Sequence, residues 1–160
     1  MKVNLLDAID IFGNGGYIDL HNMRYIPQKW YWEMFPDSAP DMTVEKYRQI
    51  PNSKECYLTT PRLKSTGIVC ITALNMGLSN EALLHLGAKD NKYWDLFVSS
   101  EDIDDGTNTY RSSDEEWAFV KNVEKYMRSI GKYNDYCSEK SNVIQKTVKN
   151  WFFERGIEIE

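Results

Sequence analysis

Long apolar runs, clustered cysteines or histidines and glycine-rich nucleotide loops are all missing from this 160-residue chain. No stretch approaches the roughly 18 to 20 apolar residues that cross a bilayer. The first residues carry one lysine and then an amphipathic pattern with Asp7 and Asp10, unlike an export signal. The expectation is a cytoplasmic protein with no membrane partner. Three cysteines, Cys56, Cys70 and Cys137, are widely spaced and odd in number, which argues against a disulfide framework. With no C-x-x-C pair and only His21 and His85 as imidazoles, no metal site is expected. No N-x-[ST] sequon, G-x-x-x-x-G-K-[ST] or G-x-G-x-x-G occurs, so neither a secreted glycoprotein nor a bound nucleotide cofactor is indicated.

What is present is an aromatic excess and an uneven charge. Apolar residues make up 42% and charged residues 27% of the chain, close enough to soluble averages to set disorder and fibrous classes aside. The length suits a single globular domain over residues 1–160. Five Trp, ten Tyr and six Phe supply large contact area at low entropy cost, for a core or for a binding surface. The formal charge is -5. From Asp90 to Glu116 nine acids stand against Lys92 and Arg111, whereas from Trp117 to Arg155 the balance turns cationic.

Local patterns predict the elements. Asn4 caps a first helix with Leu5, Leu6, Ile9 and Phe12 on one face and Gly13 at its end. Residues 17–20 and 23–26 read as a hairpin with His21 and Asn22 at its tip. Pairing Leu20 with Met23 and Ile18 with Tyr25 gathers the apolar side chains on one face and sets Asp19 against Arg24 as an exposed cross-strand ion pair on the other. Thr43 caps a short helix through Ile50, Cys56 to Thr59 is strand-like, and Ile68 to Ile71 is ambiguous between strand and helix. Ser113 with Glu116 forms a capping box opening a helix with Trp117, Val120, Val123, Met127 and Ile130 inward and Gly131 at its end. A last helix from about Ser141 carries Val143, Ile144, Val148, Trp151 and Phe152, and Ile157 to Ile159 adds a short tail strand. The fold class is α+β, with a small antiparallel hairpin or sheet near the N-terminus and a mainly helical C-terminal half.

The segment Thr72 to Leu86 fits two short helices meeting at Gly77, with Ala73 small at the contact and Leu83 and Leu86 turned to the core. That spacing resembles the repressor type of helix-turn-helix. A DNA reader needs Lys, Arg, Asn or Gln on its second helix within a positive field. This one offers Ser79, Asn80, Glu81 and His85 in an anionic chain, so a buried helical corner is the favoured reading and nucleic acid is not the expected partner.

Catalytic constellations are sparse. Cys70 reads as a small buried apolar residue and Cys137 as a surface or half-buried thiol. The acidic segment Glu101 to Gly106 invites a calcium loop, but with Gly106 at the sixth position Ile103 and Ser112 fall where oxygen ligands and a bidentate Glu belong. Two features suit contact instead. Trp30, Tyr31, Trp32, Met34 and Phe35 are too dense to face one core from a single element, and such rings are frequent binding anchors. The acids from Glu101 to Glu116 would steer a basic partner. The sequence therefore points to a non-enzymatic protein that binds another macromolecule, in its concrete form an inhibitor or immunity-type protein against a basic, nucleic-acid-handling protein. Its contact residues are Trp30, Tyr31, Trp32, Phe35, Glu101, Asp102, Asp104 and Asp105, and its oligomeric state is left open. The alternatives are a DNA-binding regulator using residues 69–86 and a hydrolase with scattered carboxylates.

Overall fold

The computed structural model describes residues 2–3, 16–19, 21, 24–27, 29–50, 57–89, 91–98 and 112–159. The first expected helix and the acidic segment 99–111, with its would-be calcium loop, lie outside them. In chain order the elements are β1 (Lys2–Val3), β2 (Gly16–Asp19), β3 (Arg24–Pro27), α1 (Lys29–Met34), α2 (Val44–Gln49), β4 (Tyr57–Thr60), α3 (Ser65–Asn75), α4 (Asn80–His85), α5 (Asp114–Ser129), α6 (Tyr133–Glu154) and β5 (Glu158–Ile159), with 3-10 turns at Pro36–Ser38 and Asn91–Trp94. This is an α+β fold with a small sheet near the N-terminus and a helical C-terminal half. The described residues group into two compact units, one built from residues 1–62 and 148–160, the other from 63–147.

In the first unit the sheet order is β3-β2-β4, all antiparallel. The hairpin register is the expected one, with Ile18 opposite Tyr25 and Asp19 opposite Arg24. One expectation is corrected. Asp19 is buried, at 3% exposure, because β4 joins the free edge of β2 and makes it the central strand. The second face of the hairpin is covered too, since Tyr17 and Ile26 pack with Ile50 of the α2 end and with Met42 and Tyr47. Asp19 there accepts a hydrogen bond from the His21 backbone N–H at 3.0 Å, which braces the tip. Thr60 Oγ1 donates to the Gly16 carbonyl at 3.0 Å and ties β4 to β2. Thr43 caps α2 by accepting from the Lys46 amide. The short tail strand is present as β5, paired in parallel with β1.

The second unit is helical. Its core joins Val69, Cys70 and Ala73 of α3, Leu83 of α4, Tyr93, Phe119, Val120, Val123 and Met127 of α5, and Tyr136 of α6. The ambiguous run at Ile68 to Ile71 is helix, and Gly67 shows why this helix sits where it does: a Cβ there would overlap the Asp95 carbonyl oxygen. α3 and α4 meet as expected at a glycine turn, with Gly77 at φ 97°, Leu83 fully buried and the Ser79 hydroxyl accepting from the Ala82 amide. The capping box opens α5 as expected, with both Ser113–Glu116 hydrogen bonds formed.

Two expectations about the C-terminal half are corrected. Trp117 and Ile130 are exposed while Phe119 is buried. At about 100° per residue, residues 119, 120, 123 and 127 share one arc of about 100° and Trp117 lies about 60° beyond its Val120 edge. Ile130 falls on that arc but caps the helix end, past the covered turns. The last helix begins at Tyr133 rather than near Ser141. Tyr136 is almost fully buried in the core, and that packing overrides the weak helix propensity of Asn134, Asp135 and Ser138.

Candidate functional site

Pro27 closes β3 and removes a backbone donor, and the aromatic segment then folds as the six-residue helix α1. The Phe35 amide donates to the Tyr31 carbonyl at 2.9 Å, continuing the helical turn, before Pro36 opens a 3-10 turn. Residues 31 and 35 are therefore neighbours on one face. Their rings lie 5.0 Å apart at 43°. Trp32 points elsewhere, with its ring 4.8 Å from Tyr47, and is 9% exposed. Tyr47 is in turn met edge-on by Tyr17 at 6.1 Å.

The cluster is thus divided by helical geometry. Trp32 belongs to the core of the first unit, Tyr31 is half-buried, and Phe35 and Met34 are 52% and 66% exposed. Trp30 lies in the first turn of α1. Met34, not counted among the contact residues from sequence, is more exposed than Phe35 or Trp32. The covered side of α1 is the one that meets Tyr47, a residue distant in sequence, so no local signal marks it.

The other expected contact residues, Glu101, Asp102, Asp104 and Asp105, lie outside the described residues. The acids that follow them serve the start of α5. Glu116 closes the capping box, and Glu115 pairs with Lys89 at 2.9 Å, holding the Lys89 ammonium above its ordinary range through a hydrogen bond and charge attraction. All three of Asp114, Glu115 and Glu116 sit in the first helical turn, where negative charge complements the helix dipole.

The residues weighed for chemistry are dispersed. Cys70 is fully buried, and burial pushes its thiol up to about 12, away from a nucleophilic thiolate. Cys137 is exposed on α6. His21 stands at the hairpin tip and His85 on the outer side of α4, both exposed. Among the described residues no three His, Cys, Asp or Glu gather where they could hold a metal ion, and no helix is long and apolar enough to cross a membrane. The exposed side of α4 presents Asn80, Glu81, Leu84 and His85. No protein family, curated protein or solved structure matches the chain.

Proposed function

We propose that this protein acts by binding another macromolecule, as an inhibitor or immunity-type protein whose partner is a basic, nucleic-acid-handling protein. The observation that supports this reading is the outer side of α1, where Phe35 and Met34 stand in solvent beside the half-buried Tyr31. A large ring held by its neighbour loses little entropy on association and buries much area, the properties of a binding anchor. The acids Glu101, Asp102, Asp104 and Asp105 add the long-range attraction that would draw a basic partner. In this reading the aromatic patch sets the lifetime of the complex and the acidic segment sets its rate of formation.

Affinity capture from native cells with the parent protein and with Phe35→Ala tests it. The expected result is a basic partner retained by the parent and lost by the variant, with affinity lowered by about 2 kcal/mol, mainly through faster dissociation. Neutralising Asp102, Asp104 and Asp105 together should slow association and flatten its salt dependence. A partner held equally by parent and Phe35→Ala would remove the patch as the anchor. An association rate unchanged at low salt in the triple variant would remove the steering role.

The DNA-binding alternative draws on the α3–α4 corner, which has the expected glycine turn. The exposed side chains of α4 carry no Lys or Arg, and this ranks it second. Duplex DNA binding that falls steeply with salt would reverse the order.

A further inference from the structure

The second unit contains a half-open cleft of about 380 Å³. One wall is the α3–α4 turn with the first turn of α4, giving Met76, Leu78, Ser79 and Ala82; the other is the end of α5, giving Tyr126, Met127 and Ile130. Lys132 completes the lining. Its size lies at the lower end of the roughly 300–1,000 Å³ typical of small-molecule sites. Two methionines give adaptable walls, and Tyr126 and Ile130 remain exposed although they flank the buried Met127.

The polar side chains that line the cleft, Ser79, Tyr126 and Lys132, can each donate a hydrogen bond. Lys132 is the only charged residue among those lining it and forms no ion pair among the described residues. Its backbone is fixed by the end of α5: the Lys132 amide donates to the Met127 carbonyl at 2.9 Å and the Gly131 amide to Arg128 at 3.1 Å, with Gly131 at φ 72°. The Ser79 oxygen already accepts from Ala82, which leaves its hydroxyl proton to give. The two helix ends would repel an anion if their carbonyls were free. Three of the last four carbonyls at each end, those of Thr72, Ala73 and Leu74 in α3 and of Tyr126, Met127 and Arg128 in α5, are taken by amides of the following turns, which removes most of that repulsion.

We infer that this cleft is a binding site for a small amphipathic monoanion, with the apolar body between Met76, Leu78, Tyr126 and Ile130 and the anionic head at Lys132. This goes beyond the macromolecular contact proposed for α1 and does not depend on it. Octanoate, with octylamine as the cation of equal tail length, tests the site by displacement of anilinonaphthalene sulfonate fluorescence.

Octanoate should displace the dye, with octylamine at least about tenfold weaker. Lys132→Glu should weaken octanoate at least about tenfold and reverse the preference, and Ile130→Gln should weaken octanoate and octylamine alike. Both positions are exposed, so thermal melts should match the parent and report an intact fold. Phe35→Ala should leave octanoate binding unchanged, which separates this site from the α1 patch. Absence of displacement by octanoate, equal competition by octylamine, or octanoate affinity unchanged in Lys132→Glu would overturn the assignment.

Discussion

Cys70 and Cys137 show how one residue type takes two characters from its surroundings. The Cys70 thiol lies among Val69, Ala73, Leu83 and Phe119 in the helical core, and burial raises its proton affinity, from the ordinary 9.0 to about 12. A thiol that holds its proton longer in the folded chain than in the unfolded one favours folding fully below about pH 9. That contribution is lost as pH rises through the interval to about 12, because only the unfolded chain can ionise there. Urea denaturation should therefore show stability falling as pH rises above 9, and Cys70→Ala should reduce that slope whatever it does to stability at neutral pH. Tyr136, also pushed upward by burial, adds to the alkaline slope in the same direction. Alkylation followed by peptide mapping should find Cys137 modified in the native protein and Cys70 only after unfolding. Rapid native labelling of Cys70 would place it outside the core.

Among the elements, α3 separates intrinsic preference from packing most clearly. Gly67 lies inside a helix, where alanine is ordinarily better by about 1 kcal/mol. A methyl group there would collide with the backbone carbonyl of Asp95, and backbone cannot swing aside as a side-chain tip can. Gly67→Ala should thus destabilise by about 1 to 3 kcal/mol, the opposite sign from propensity. Equilibrium denaturation decides between them, and a gain in stability would mean that the segment after Asn91–Trp94 yields. α5 offers the contrasting case. Its start is built from atoms three residues apart, Ser113 and Glu116, so the capping box was legible from spacing alone, whereas its apolar stripe was only half legible because Trp117 and Ile130 are uncovered.

At the scale of the molecule, both ends of the chain belong to one unit and the helical unit is continuous between them. The ladder of β1 with β5 spans two residue pairs, too short to hold those ends by its backbone bonds alone. The end of α6 lies in the same unit, and there Trp151 and Phe152 are buried. The Trp151 ring is met edge-on by Phe152 at 5.0 Å and covered by the Arg155 guanidinium at 3.9 Å. Trp151→Ala should cost about 3 to 5 kcal/mol, read as a lowered melting temperature. An unchanged melt would take the end of α6 out of the core.

The sequence by itself determined the features whose partners lie within a few residues. The Thr43 and Ser113 caps, the glycine turns at Gly77 and Gly131, and the pairing of Asp19 with Arg24 each satisfy backbone groups locally, so residue type and spacing suffice. The tertiary structure decided whatever depends on distant segments. It placed β4 beside β2 and so buried Asp19, brought Asp95 against Gly67, and set Tyr47 against Trp32 while leaving Phe35 in solvent. The aromatic richness of α1 was written in its residues. The exposed side was not, because a helix carries apolar groups around its circumference and only the neighbours it meets select the side removed from water.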